Sequence, residues 1–347
     1  MDLKKIQDVG NLEGKKILLR VDFNVPIEND EVKESYKIKA VRDTLKYLIN
    51  KDAKIALITH FGRPEGKVDP ALSLKQLEKP VSKILEEKIK FFGDCVGSKI
   101  EKEVTSLKYG EVLLLENVRF YPEEEQNDHL FSKNMAKNFD LFVNDAFSVC
   151  HRDQASVTGV ARLIPSYAGF WLQKEIENLD KIKANPIRPA VAIIGGAKIE
   201  TKLPIIKNFE KEYDHVLVGG KIAMEAIEQK LQFSHKVVLP EDFIDGGMDI
   251  GPKALEKYKS LIANAKTIVW NGPVGKFETK PYDIGTKEIL KAILDSQAFT
   301  LVGGGESVQV LEENGVMDKI SFVSTGGGAM LEYLGGDKMP GIEVLKA

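Results

Sequence analysis

Arginine, cysteine and long apolar runs are all scarce in this chain, and each shortage excludes something. Two cysteines, Cys95 and Cys150, in 347 residues are too few for a disulfide framework or a zinc centre, so both are expected to be reduced thiols. No uninterrupted apolar stretch approaches the length of a membrane span. Met1-Asp2-Leu3-Lys4-Lys5 leads into a polar segment without the apolar core of a secretory signal, so a cytoplasmic protein with no membrane partner is expected. A net charge of −3 lacks the basic excess that a nucleic acid or an anionic membrane surface would favour.

The shortage of arginine is uneven. Cations come mostly from 42 lysines, against seven arginines, and six of those seven (Arg20, Arg42, Arg63, Arg119, Arg152 and Arg162) lie in the first half. Glycine shows the opposite bias, with 20 of 29 after residue 190. Arginine offers carboxylates and phosphates a planar fork, and glycine lets backbone N–H groups approach a phosphate without a side chain in the way. The first half therefore reads as a grip on a small polyanion and the second as a cradle for a nucleotide.

Length makes two domains the default. Short β-branched runs (Ile17–Val21, Ile55–Thr59, Val112–Leu115, Leu141–Asn144, Val191–Ile194, Val216–Val218, Thr267–Trp270, Phe299–Val302, Ser321–Val323) alternate with helical-period stretches such as Lys37–Asn50, Asn127–Asn138, Gly251–Ala263 and Ile284–Leu294. That alternation specifies an α/β fold of doubly wound, Rossmann-like parallel sheets covered by helices on both faces. The boundary is placed at 169/170, with residues 170–183 as a connecting helix at the start of a second domain that runs to 334. The tail, 335–347, is expected to pack back on the first domain.

Ligands of such sheets bind beyond the carboxyl ends of strands, and the polar clusters stand there: Asp22-Phe23-Asn24, His60-Phe61-Gly62-Arg63, Glu116-Asn117-Val118-Arg119 and Asp145 to Arg152 in the first half. Arg63, Arg119 and Arg152 with His60 and His151 would donate to a phosphate and a carboxylate, while Asp22 and Asn24 suit a hydroxyl between them. A phosphorylated hydroxy acid fits. Arg20 reads as structural, and His129, His215 and His235 as bystanders.

The second half lacks both G-x-x-x-x-G-K-[ST] and a G-x-G-x-x-G after its first strand, so the two common phosphate-loop fingerprints are absent. What stands instead is Gly326-Gly327-Gly328 between a strand and a helix over 329–334, where free N–H groups favour an anion. Lys198 and Lys202, four apart after Gly195-Gly196, would share a helical face. Glu306, after Gly303-Gly304-Gly305, could hold a phosphate-bound magnesium ion or complement the charge of a helix start.

Together these segments resemble phosphoglycerate kinase, in order from residue 17 to residue 341. The most specific are Arg20-Val21-Asp22-Phe23-Asn24-Val25-Pro26 and Trp270-Asn271-Gly272-Pro273-Val274-Gly275. The resemblance implies two domains joined by a helix and hinge and facing a cleft, with 3-phosphoglycerate or 1,3-bisphosphoglycerate on the first and Mg-ADP or Mg-ATP on the second, in a monomer. It assigns Asp22, Phe23, Asn24, Lys37, His60, Phe61, Gly62, Arg63, Arg119 and Arg152 to substrate. Gly196, Ala197, Lys202, Gly219, Gly220, Gly247, Asn271, Pro273, Glu278, Gly304, Gly305, Glu306 and Ser307 go to the nucleotide. Lys37, Lys198, Lys202, Gly326, Gly327 and Gly328 go to phosphoryl transfer, with Glu306 on Mg2+.

The chain also departs from the family. Lys37 stands where a catalytic arginine is usual and loses the fork. Glu306-Ser307 replaces an Asp-Thr pair, and Lys221 and Lys276 stand where small or apolar residues are more common. The stretch from Gln229 to Asp242 is shorter than its counterpart, so comparable use of ADP and GDP is expected. Two other readings, a kinase for an unphosphorylated carboxylate and a solute-binding protein for anionic sugars, leave either the arginines or Lys198, Lys202 and Glu306 without a task.

Overall fold

The computed structural model describes residues 2–28, 31–183 and 185–347. The chain forms two compact units, one made of the segment up to Glu177 together with Lys338–Ala347 and the other of Asn178–Asp337. The division falls within helix Phe170–Lys183. The C-terminal residues rejoin the first unit: Leu3 bridges to Lys346 and the Lys4 N–H donates to the Leu345 carbonyl at 2.9 Å.

Each unit is built on a six-stranded, all-parallel sheet. The first has strands β1 (Lys16–Arg20), β2 (Lys54–Ile58), β3 (Ile89–Phe92), β4 (Val112–Leu115), β5 (Leu141–Asn144) and β6 (Ser166–Ala168), in the order β3-β4-β2-β1-β5-β6. Period-two alternation sends Ile17, Leu19, Ile55, Leu57 and Val143 into one apolar cluster. Leu18, Ala56, Ile58, Leu113 and Phe142 go into another on the opposite face. Both faces are covered, so the strands read as unbroken apolar runs.

The second sheet comprises β7 (Ala190–Ile194), β8 (His215–Val218), β9 (Val237–Val238), β10 (Thr267–Asn271), β11 (Phe299–Gly303) and β12 (Phe322–Ser324), ordered β9-β8-β7-β10-β11-β12. The expected α/β architecture is present in both units. Three edge strands, β3, β6 and β9, were not expected; they are two to four residues long, too short to establish a period. The anticipated helix over 37–50 is interrupted at Val41, giving Tyr36–Ala40 and Arg42–Asn50.

In both sheets the strand order reverses beside the first strand, between β1 and β5 and between β7 and β10. Side chains beyond the carboxyl ends of strands splay apart at such a point and leave a crevice.

Candidate active site

At the first reversal, the backbone leaves β1 and β5 side by side, with the Asp145 N–H donating to the Arg20 carbonyl at 2.9 Å. Asp22 is buried there. Its Oδ2 accepts from Ser148 Oγ at 2.6 Å and pairs with Lys37 Nζ at 3.0 Å, and its Oδ1 accepts the Asn24 N–H at 3.0 Å. Burial alone would raise this carboxyl; Lys37, with the Ser148 and Asn24 hydrogen bonds, outweighs it and holds the group below the ordinary range. The Asn24 side chain accepts the Gly62 N–H at 2.9 Å. Phe23 is fully buried and its N–H donates to Thr59 Oγ1 at 3.0 Å, so it anchors the loop rather than lining it.

His60 and Phe61 follow β2. Asn117 clamps Phe61 from both sides, receiving its N–H at 3.2 Å and donating to its carbonyl at 2.7 Å. Gly62 turns at φ +64°, where a Cβ would lie 2.7 Å from Leu72, and its carbonyl accepts Arg119 Nη1 at 3.0 Å. Arg119 is 5% exposed, yet among the described residues its Nε and Nη2 have no hydrogen-bond partner; Glu125 forms an ion pair with Nε at 3.6 Å. Burial, followed by the charges of Arg152 and Arg20, pushes its guanidinium down to about 10. A buried guanidinium with two unpartnered donors beside two further cations can donate to an anion. Arg152 Nε donates to His151 Nε2 at 3.2 Å, and burial and Arg152 hold His151 neutral, down to about 4. Arg63 is exposed.

At the second reversal the backbones almost touch. A Cβ on Gly195 would lie 1.9 Å from the Pro273 carbonyl oxygen, and one on Gly304, at φ +102°, 2.7 Å from Asn271 Nδ2. Asn271 ties the segments together: its Oδ1 accepts Lys202 Nζ at 2.8 Å and its Nδ2 donates to the Gly303 carbonyl at 2.7 Å. Gly304 and Gly326 cap helices Gly305–Glu313 and Gly327–Leu334, and a Cβ on Gly327 would lie 3.1 Å from the Gly304 Cα. Two helix N-termini with small caps thus stand together, each presenting free N–H groups to an anion. Burial and Glu278 raise the Glu306 carboxyl, with Lys202 opposing.

Alongside lies a cavity of about 440 Å³ lined by Gly196, Ala197, Gly220, Gly247, Pro273, Glu278 and Glu306, with Met224, Met248, Lys221 and Lys276. That is the size of an ordinary small-ligand site.

Three expectations meet local geometry that the sequence did not show. Lys198 and Lys202 do not share a helical face: helix Ile199–Glu212 begins after Lys198, which is its extended, exposed cap residue, because Gly195 and Gly196 extend the loop. The Ser307 hydroxyl is buried and accepts the Gly272 N–H at 2.7 Å. Gly219 packs its Cα against Val274 and is absent from the cavity lining. Sequence reasoning also missed Glu124, fully buried in the short helix Pro122–Glu125, whose carboxylate accepts the Ser156 N–H at 2.8 Å and Oγ at 2.6 Å. It stands in a run of three glutamates with nothing local to distinguish it.

The phosphoglycerate kinase family model matches residues 6–238 and 224–337. The phosphoglycerate kinase of Leptospira biflexa is 41% identical, with 96% of each chain covered. That of Borreliella burgdorferi is 38% identical over all of both chains, in an alignment of 392 positions that exceeds the 347 residues here. Among solved structures, phosphoglycerate kinase from Pyrococcus horikoshii superposes with a TM-score of 0.88 at 31% identity, covering 99% of this chain and 98% of that one. The Coxiella burnetii enzyme gives 0.83 at 33%, with the same coverage. With two parallel six-stranded sheets, a charged crevice on one and a glycine cradle on the other, the chain belongs to the phosphoglycerate kinase family.

Proposed function

We propose that the crevice of the first unit binds 3-phosphoglycerate and the cradle of the second binds Mg-ADP or Mg-ATP, and that hinge bending brings the two ligands together for in-line transfer. Arg119 carries this reading, since its buried, unpartnered Nε and Nη2 donors can pair with two oxygens of a tetrahedral phosphate. His60, Arg63 and Arg152 complete the phosphate site, and Asp22 and Asn24 receive the glycerate hydroxyl and carboxylate end. On the nucleotide, Lys202 and the N–H groups at 304–307 take the phosphates, Glu278 the ribose, and Gly220 and Gly247 the base. Lys198 and the N–H groups at 326–328 face the phosphoryl group in flight.

The substrate carboxylate oxygen forms a bond to the terminal phosphorus of ATP while the bridging oxygen departs with ADP, giving 1,3-bisphosphoglycerate. A carboxylate is already nucleophilic, so the protein supplies alignment and charge neutralisation instead of a base. The site suits a magnesium ion held mainly through the nucleotide, because burial and Glu278 disfavour charge on Glu306, a bias that a nearby cation relieves. Bound there, Mg2+ would neutralise phosphate charge. Each chain carries both residue sets, so the enzyme works as a monomer, in the cytoplasm.

Lys37, paired with Asp22, takes the bridging role with reduced efficiency, as a point charge in place of a fork. A coupled assay with 3-phosphoglycerate and Mg-ATP tests the reading. Turnover is expected, higher in Lys37→Arg and lower in Lys37→Ala. Absence of turnover in all three overturns the function, and identical rates in all three overturn the role of Lys37.

A further inference from the structure

We infer that Arg20, itself held by Ser156 and Glu124, is a positioning residue that fixes His60 in the tautomer carrying its proton on Nε2. Arg20 Nη2 lies 3.2 Å from His60 Nδ1. A guanidinium has donors only, so Nδ1 must accept and the ring proton must sit on Nε2. Arg20 is fully buried and fully engaged: Nε donates to Ser156 Oγ at 3.1 Å and Nη1 to the Val21 carbonyl at 2.5 Å. Ser156 cannot rotate away, because its hydroxyl donates to Glu124 Oε1 at 2.6 Å while its N–H is bonded to the other carboxylate oxygen.

The chain Glu124–Ser156–Arg20–His60 therefore runs from the buried Glu124 carboxylate to the edge of the crevice with one direction of donation at each link. Among the described residues the ring is hydrogen-bonded through Nδ1, which leaves Nε2 as its free donor. The charged groups acting on His60 come from four elements: Arg20 on β1, Asp22 in the loop after it, Arg119 and Lys37. After burial, the three cations all oppose a second ring proton, and Asp22 alone favours one. The arrangement gives the crevice a neutral ring whose Nε2–H is free to donate to a phosphate oxygen. This rests on the assignment of His60 to substrate.

Long-range ¹H–¹⁵N spectra of the full chain labelled at histidine test it directly. The expected His60 pattern has a bare, pyridine-like Nδ1 and a protonated Nε2, unchanged as pH is lowered through 6.5. A protonated Nδ1, or an imidazolium forming near pH 6.5, overturns it. Arg20→Met removes a buried cation and endangers folding, so Ser156→Ala is the working variant. It should mobilise Arg20, give a mixed and titrating His60, and raise KM for 3-phosphoglycerate about tenfold with a new pH dependence, kcat changing less. His60→Ala separates the two possible failures. If it raises KM and Ser156→Ala does not, the positioning role is wrong; if neither raises it, His60 does not meet substrate and the inference falls with that assignment.

Discussion

Asp145 shows how burial can outweigh hydrogen bonding in tuning a residue. Its carboxyl is shut away from water at the start of helix Phe170–Lys183. There Oδ1 accepts the Leu172 N–H at 2.9 Å, and burial, opposed by hydrogen bonds from Thr44, Leu172 and Trp171, pushes the group up to about 7. In the unfolded chain the same group titrates near pH ~3.9. Between those values the native state holds a proton that the unfolded state has released. The associated stability is therefore complete below about pH 4 and is lost as pH rises to 7. Asp145→Asn has no charge to bury. Urea unfolding should show its stability relative to wild type improving by about 2–3 kcal/mol from pH 5 to pH 8. A difference that stays constant with pH contradicts this. Arg119→Lys keeps charge and loses the fork, so KM for 3-phosphoglycerate should rise about tenfold or more, with the nucleotide KM unchanged. An equal rise in both would show a general packing defect. The proximity of Arg119 to His60 and Arg152 was legible in the sequence because each follows a strand. The hydrogen bonds from Glu124 through Ser156 to Arg20 were not, because Ser156 lies 136 positions from Arg20 and only the fold brings them together.

Elements explain why the glycines cannot be exchanged. The loops after β7 and β10 cross so closely that a methyl group on Gly195 would meet two backbone carbonyls, at 1.9 Å from Pro273 O and 2.6 Å from Gly272 O. Backbone cannot rotate away as a side chain can. Gly195→Ala is expected to lower affinity for Mg-ADP at least about tenfold and to reduce Tm, whereas Gly10→Ala, with no atom within 4 Å of the added carbon, should change neither. Unaltered nucleotide affinity in Gly195→Ala would remove the crossing from the account. Strands buried on both faces were readable as β-branched runs. Edge strands such as β9, with two residues, take their structure from a neighbour already in place. The helical register of Lys198 was misread for a related reason: where the loop ends is set by the contact of Gly195 with Gly272 and Pro273, which no local pattern records.

On the scale of the whole molecule, two units with the same sheet architecture carry opposite chemistries, guanidinium groups at one strand reversal and bare backbone at the other. The cavity beside the second is walled by Met224, Met248, Pro273 and carboxylates, with no hydroxyl or amide side chain among its lining. Thioethers adapt to either purine, and the family model is matched by two segments that overlap at 224–238, consistent with a shortened chain at the cavity's edge. Comparable kcat with ADP and GDP is therefore expected at saturation, and a strong preference for ADP in a side-by-side assay would contradict it.

The division of labour between the units is the central claim, and equilibrium titration of each ligand alone into Arg119→Lys and Lys202→Met tests it most directly. The account predicts that Arg119→Lys loses affinity for 3-phosphoglycerate and keeps that for Mg-ADP, and that Lys202→Met does the reverse. Loss of both ligands in either variant, or the opposite pairing, would contradict it.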